Sequence, residues 1–236
     1  MSKRYGALVV TDALSMTLRD GEALGVIGPN GAGKTTLFNL IAGEARPESG
    51  RVLFGGADIT HMAPAARCKA GIGRTYQIPH PFTGMTVFEN LLVGATFGDN
   101  RREADAYDIC VDVLRRTGML QRANTRAGAL TLLERKRLEL ARALVTGPKV
   151  LLLDEIAGGL TESECGVLVQ TVRDVHATGV SIVWIEHVLH ALRAVVTRLL
   201  VIDFGRKIAD GEPAEVMASP RVREIYMGLE PEAVHA

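Results

Sequence analysis

Nine residues, Gly28-Pro-Asn-Gly-Ala-Gly-Lys-Thr-Thr36, have the types and spacing needed to grip a polyphosphate. They fit the pattern G-x-x-x-x-G-K-[ST]. Gly28, Gly31 and Gly33 carry no Cβ, so successive N–H groups can curl around phosphate oxygens. The segment Asn30, Gly31, Ala32, Gly33, Lys34, Thr35 and Thr36 is the expected nucleotide grip. Lys34 supplies a point charge for the β- and γ-phosphates, and the Thr35 hydroxyl is placed to ligate Mg²⁺. A second group lies far along the chain, in Val150-Leu-Leu-Leu-Asp154-Glu155. Its two adjacent carboxylates divide the work: Asp154 can hold the Mg²⁺ shell, and Glu155 can polarise an attacking water as general base. The pattern as a whole is that of a protein that binds a nucleoside triphosphate.

These groups need elements to position them. Residues 22–27 read as a buried strand entering the loop, and Leu37, Phe38, Leu40 and Ile41 form a helical stripe that stops at Gly43. That helix turns its partial positive N-terminal charge toward the phosphates. The apolar run before Asp154 reads as a central parallel strand, which delivers the acids to the carboxyl edge of an open sheet. Further strand-like runs fall at residues 51–54, 181–185, 198–202 and 206–209, whereas residues 77–145 are mostly helical in period. Leu168, Val172 and Val175 mark another helix, ending near Gly179; from residue 224 onward little periodicity remains, and fraying is expected there. The spacing predicts one α/β domain over residues 1–236, with a helical insertion at about 78–145.

Composition narrows the class. The 236 residues are 47% hydrophobic, enough for a substantial core, and Lys+Arg equals Asp+Glu at 27 each, which argues against a nucleic-acid partner. Cys68, Cys110 and Cys165 lie far apart without metal-ligand spacing and read as free thiols in a reducing compartment. His61, His80, His176 and His190 show no mutual ligand spacing, and Trp184 in an apolar run reads as core. No apolar run reaches the 18 or so residues of a membrane span, so the sequence predicts attachment to a membrane only through a partner.

The order of these motifs resembles the ATP-binding subunits of ABC transporters across nearly the whole chain. Tyr5, in Lys3-Arg-Tyr-Gly6, stands where that family sets an aromatic against adenine. Gln77, in Gly71-Ile-Gly-Arg-Thr-Tyr-Gln77, matches the glutamine that opens the helical subdomain and senses Mg²⁺ and the γ-phosphate. Leu130-Thr-Leu-Leu-Glu134 occupies the signature position, so Thr131, Leu132, Leu133 and Glu134 are the residues expected to face a nucleotide held by a second subunit. Ala157-Gly-Gly-Leu-Thr161 stands at the D-loop, and His187, in Trp184-Ile-Glu-His187, matches the histidine that contacts the γ-phosphate. Glu155, His187 and Gln77 are thus the implied catalytic group, with Thr35, Gln77 and Asp154 around the metal. The resemblance implies a P-loop, RecA-like α/β core with an antiparallel β-subdomain and an inserted helical subdomain.

Finer wording is similar to the ATPases of branched-chain or hydrophobic amino-acid importers. It lies in Arg74-Thr-Tyr-Gln-Ile-Pro-His-Pro-Phe82, Thr86-Val-Phe-Glu-Asn-Leu-Leu92, Arg137-Leu-Glu-Leu-Ala-Arg-Ala-Leu144 and the tail after Gly205. The implied partners are a second ATPase subunit, identical or not, two membrane permeases and, indirectly, an extracytoplasmic solute-binding protein. The implied location is the cytoplasmic face of the membrane, and residues 82–92 are expected to meet a permease. Amide or urea importers and a lipopolysaccharide-export ATPase share much of this wording. Soluble ABC ATPases form a different class, usually with two nucleotide domains in one chain or a long coiled-coil insertion, and this chain has neither.

Several positions depart from the family pattern. Leu132 and Leu133 replace the signature glycines, Ile156 stands for the proline after the catalytic glutamate, and Thr161 for the D-loop Asn or Asp. Thr131-x-x-Glu134 reads as a capping box. The strand that normally precedes Lys3 is expected to be missing, leaving an unpaired edge.

Overall fold

The computed structural model describes residues 1–98 and 103–227. In chain order its strands are β1 (Lys3–Tyr5), β2 (Leu8–Thr11), β3 (Ala23–Ile27), β4 (Leu53–Phe54), β5 (Ala57–Asp58), β6 (Ile72–Arg74), β7 (Val150–Asp154), β8 (Ser181–Ile185), β9 (Arg198–Asp203) and β10 (Arg206–Gly211). The helices are α1 (Lys34–Ala42), α2 (Pro64–Ala70), α3 (Val87–Gly98), α4 (Glu103–Arg116), α5 (Leu132–Leu144), α6 (Glu162–His176), α7 (Leu189–Arg193), α8 (Pro213–Ala218) and α9 (Pro220–Met227).

Six strands make the central sheet in the order β10-β9-β3-β8-β7-β6. All its pairings are parallel except the β9–β10 hairpin. Strands β3 and β8 are buried along their full length, as parallel strands covered on both faces must be. Their side chains alternate between two cores. Ile182 and Trp184 of β8 join Leu151, Leu153, Leu199 and Val201 under α6 on one face. Val183 and Ile185 join Leu24, Val26, Leu152 and Leu200 against Leu37 and Phe38 of α1 on the other. A third core binds α3, α4 and α5 through Val87, Leu91, Ala106, Cys110, Leu114, Leu138 and Ala141. Helix α5 belongs to two cores at once, because its Leu140 and Ala143 pack under the sheet while its Leu138 and Ala141, with Val145 just beyond its end, face α3 and α4.

Several elements differ from the sequence-based expectation. The strand expected at residues 51–54 is only β4 (Leu53–Phe54), since its hairpin with β5 is closed by Gly55 and Gly56, both at positive φ. Strands β1, β2, β5 and β6 carry no apolar alternation; β1 and β2 pair as a largely exposed ribbon, and β6 contains Gly73. Residues 224–227 continue helix α9, while the rest of the tail expected to fray lies outside the described residues.

Two backbone seats fix the neighbourhood of residues 28–36. A Cβ on Gly28 would strike the Ile202 carbonyl, and Cβ atoms on Gly33 and Gly205 would both strike the Val10 carbonyl. The Gly205 N–H donates to Ala32 O at 3.0 Å, and the Asp12 N–H donates to Gly205 O at 2.9 Å. At the far end of α1, the Arg67 guanidinium, 1% exposed, donates to the carbonyls of Leu40 (2.6 Å), Ile41 (2.7 Å), Thr60 (2.8 Å) and Met62 (3.0 Å). It closes the C-terminus of the helix that carries Lys34.

Candidate nucleotide site

Strand β3 ends at Ile27 and the chain bends through Gly31 at φ +80° and Gly33 at φ +101° into α1. Both are conformations that glycine adopts without strain. Gly33 stands at the N-cap of α1, which receives no side-chain cap. Among the described residues, no acceptor takes the N–H groups of Gly33, Lys34, Thr35 or Thr36. This is a crown of unclaimed donors on the positive end of a nine-residue helix, the arrangement a polyphosphate fits. The buried Lys34 Nζ donates to Gly28 O (2.7 Å) and Pro29 O (3.0 Å), folding back over the loop. Burial pulls its pKa below the ordinary lysine value, and the charges of Glu155 and Asp154 partly restore it.

Asp154 is the last residue of β7, and its N–H donates to Thr75 Oγ1 at 3.2 Å. Burial pushes its carboxyl above the usual carboxylate range, against the pull of Arg74 3.2 Å away. Arg74 also donates to Asn39 Oδ1 (2.7 Å) and pairs with Glu44 (3.1 Å), so one guanidinium ties β6 to α1 and β7. It lies 4.9 Å from the Tyr76 ring, whose hydroxyl is pushed up to about 12 by burial and by its bond to Glu44. The Asp154 carboxylate, the exposed Thr35 hydroxyl and the Gln77 amide oxygen are hard oxygen donors, the chemistry that a small divalent cation would need.

Glu155 follows at φ +47°, a conformation a non-glycine side chain rarely adopts. Its N–H donates to Ile185 O (2.9 Å). Gln77 Nε2 donates to Glu155 Oε2 at 2.6 Å, and His187 Nε2 lies 2.8 Å from Glu155 Oε1. Both carboxylate oxygens are therefore engaged by residues that the sequence also singled out. A buried neighbour, Glu186, accepts from the N–H groups of Ala157 (2.6 Å), His187 (3.0 Å) and Val188 (3.3 Å), fixing the backbone on either side of the site. Burial raises its carboxyl despite those three bonds. The buried Lys136 of α5 sends Nζ to within 3.4 Å of Glu155 O.

The structure thus brings Gln77, Glu155 and His187 into contact, with Asp154 and Lys34 beside them. It does not bring Thr131, Leu132, Leu133 and Glu134 there; that stretch begins α5, with Thr131 as its N-cap. Tyr5 closes the β1–β2 ribbon, 50% exposed, with the Lys3 ammonium 5.2 Å from its ring. Arg74 and Glu186 have no assigned part in the sequence reading. The run Arg135-Lys136-Arg137 reads there as a solvated face, which the structure corrects at Lys136: it is 4% exposed and turned toward Glu155. A lone buried charge makes no spacing pattern, and only the repeated wording around Arg74 and Glu186 marked their neighbourhoods.

The ABC transporter family profile matches residues 11–158, well over half of the chain. The chain belongs to the ABC transporter ATP-binding family. Binding and hydrolysis of ATP are therefore its chemistry. A second profile, of the branched-chain amino acid ATP-binding cassette transporters, matches residues 206–230 of this cassette. The cassette is 34% identical over 242 residues to the high-affinity branched-chain amino acid transport ATP-binding protein LivG of Salmonella typhimurium, covering 95% of this chain and 94% of that one. It is 31% identical over 245 residues to BraF of Pseudomonas aeruginosa, also a high-affinity branched-chain amino acid transport ATP-binding protein, covering 97% and 95%. Among solved structures it is similar to the ADP conformation of an ATP-binding cassette of an ABC transporter, with a TM-score of 0.88, 32% identity and coverage of 97% and 96%.

Proposed function

We propose that this cassette hydrolyses ATP to drive a membrane importer for branched-chain or other hydrophobic amino acids. The observation that carries this reading is the branched-chain cassette profile over residues 206–230, joined to whole-length likeness to LivG and BraF. The whole chain acts as one nucleotide-binding domain with its helical part at about residues 78–145. The amides of residues 30–36 and Lys34 hold the β- and γ-phosphates, while Tyr5 meets the adenine. Thr35, Asp154 and Gln77 hold Mg²⁺, which when bound neutralises charge on the phosphate oxygens. Glu155 accepts the proton of the attacking water, and His187, on the carboxylate's other side, reaches the γ-phosphate. Gln77 and His187 take one acceptor position on each Glu155 oxygen and leave the second on each for the attacking water, so the two neighbours orient the base.

Two such cassettes share each nucleotide, the phosphate loop of one against the α5 end of the other. No described helix is long and apolar enough to cross a membrane, so two permeases hold the pair at the inner face, and a binding protein delivers the solute outside. The permease contact is the helical surface from Phe82 to Leu92. It adjoins a 220 Å³ cleft lined by Arg74, Tyr76, Phe82, Asn90, Glu139 and Arg142. Purification with its permeases into proteoliposomes tests the reading. Leucine, isoleucine or valine with the binding protein should stimulate ATP turnover, and stimulation by urea or a short amide alone would overturn it.

A further inference from the structure

Two ionisable side chains beside Glu155 have no part in the chemistry proposed above, yet both are buried: Glu186, between β8 and α7, and Lys136 of α5. A buried charge is costly unless its surroundings hold it, and here the holding groups are backbone. The Glu186 carboxylate works as a clip between two segments. Its Oε1 accepts from the Ala157 N–H at 2.6 Å, and its Oε2 accepts from the N–H groups of His187 at 3.0 Å and Val188 at 3.3 Å. Those segments carry two groups that meet at the site. Glu155 stands two residues before Ala157, and the His187 ring reaches Glu155 Oε1 at 2.8 Å. Glu155 needs such a clip, because a φ of +47° persists in a non-glycine residue only where the surroundings over-determine it. They do so on both sides. The Glu155 N–H donates to Ile185 O at 2.9 Å, and the Glu155 carbonyl accepts from Lys136 Nζ and from the Gly158 N–H, each at 3.4 Å. Lys136 thus holds from α5 the same stretch that Glu186 holds from the end of β8. Burial pulls the Lys136 ammonium below the ordinary lysine value, and the charges of Glu186 and then Glu155 partly restore it.

We infer that Glu186 and Lys136 are positioning residues for hydrolysis: together they set the backbone of Glu155 and so the place of its carboxylate. This rests on the reading that Glu155 is the general base. Among the described residues, neither bonds to the loop at 28–36, so their part lies in turnover and not in holding ATP. An amide in place of the Glu186 carboxylate exposes the division of labour. Its single oxygen can serve Ala157 or the pair His187 and Val188, but not both, and its NH₂ group faces a donor on the other side. The clip then opens at one end while the volume of the side chain is kept.

Single-turnover hydrolysis of labelled ATP by the cassette in complex with its permeases, set beside equilibrium binding of Mg-ATP, tests the inference. Four chains are compared: wild type, Glu186→Gln, Glu155→Gln and the double variant. Glu186→Gln should slow hydrolysis at least about tenfold, the scale of a displaced reacting group, while Kd for Mg-ATP changes less than about twofold. In the Glu155→Gln background the same change should slow hydrolysis less than about twofold, because no base remains to be placed. An undiminished loss in that background makes Glu186 a general support of the fold and overturns the inference. So does a Glu186→Gln chain that hydrolyses at the wild-type rate, or one that loses ATP binding along with turnover. Lys136→Met fills similar space without the charge and repeats the cycle from the α5 side. It should behave in the same way, and it decides the matter if Glu186→Gln does not fold. Wild-type turnover by Glu155→Gln alone is the separate outcome that overturns the base assignment, and the inference with it.

Discussion

At the scale of single residues, Lys34 and Glu155 carry the sharpest expectations. Lys34 is the only side-chain cation of the phosphate loop. Lys34→Ala should weaken ATP binding by about 1.5–3 kcal/mol, roughly ten- to hundredfold in Kd, as hydrogen bonds to charged groups do. Calorimetric titration with Mg-ATP measures this, and an unchanged Kd would mean the loop grips something else. Glu155→Gln keeps the shape and can still bond Gln77 and His187, but it cannot accept a proton. ATP should still bind while steady-state turnover falls at least about tenfold. These two residues were legible in the sequence because each sits in a pattern of fixed spacing. The contacts that set them were not. The reach of Arg74 to Asn39 and Asp154 joins positions 35 and 80 residues away in sequence, and no local pattern encodes such a bridge.

At the scale of elements, two cations hold the scaffold, Arg67 buried and Arg198 partly buried. Arg67 is the only side chain that bonds four carbonyls at once between α1 and the β4–β5 ribbon's neighbourhood, among the described residues. Arg67→Met fills similar space but orphans those carbonyls, and should cost about 3 kcal/mol, a fall of roughly 6–12 °C in Tm. Thermal melting followed by circular dichroism gives the answer; a loss within one or two degrees would mean that water replaces the guanidinium. Arg198 ties β9 to β10 through both oxygens of Asp210, at 2.6 and 2.8 Å. That bond holds the Asp210 carboxyl below the usual range, against partial burial and with help from Lys207. In the folded state Asp210 therefore binds fewer protons than in the unfolded state, so its contribution is present above the unfolded pKa and is lost as pH falls through the folded one. Asp210→Asn should destabilise near neutrality by about 1 kcal/mol, discounted for its partial exposure, and the gap from wild type should close below about pH 4. Urea unfolding at several pH values tests the trend. Strands β3, β7 and β8 were legible because continuous apolar runs have few other uses. Strands β1 and β2 were not, because an exposed ribbon needs no alternation, and β6 was hidden by its Gly and Arg within three residues.

For the molecule as a whole, the α/β class and its helical insertion followed from the change of hydrophobic period near residues 77 and 145. The strand order did not, since a parallel sheet can cross over in many ways without altering any local run. The division into cores was likewise invisible, because α5 shows one broad apolar face in sequence yet serves two clusters. That sharing predicts a gradient of stability. Amides of α3 and α4, whose core is tied to the sheet chiefly through α5, should exchange with solvent at lower opening free energy than those of β3, β7 and β8, with α5 between them. Native-state hydrogen exchange resolves the three groups, and a single common opening energy would show that the cassette unfolds as one unit.

The glycine contacts around the phosphate loop bear on how quickly a nucleotide can arrive. Gly28 lies hard against the Ile202 carbonyl, and Gly33 and Gly205 press from two sides on Val10. The sheet and the β1–β2 ribbon therefore cast the shape of the loop when the chain folds, and its backbone freedom, about 1–2 kcal/mol for each residue, is already gone before any ligand comes. Such a pre-set socket captures its ligand in a single kinetic step rather than closing around it. Nucleotide arrival should then leave the cradle itself unmoved and add no slow phase to binding, which stopped-flow mixing with a fluorescent ATP analogue measures.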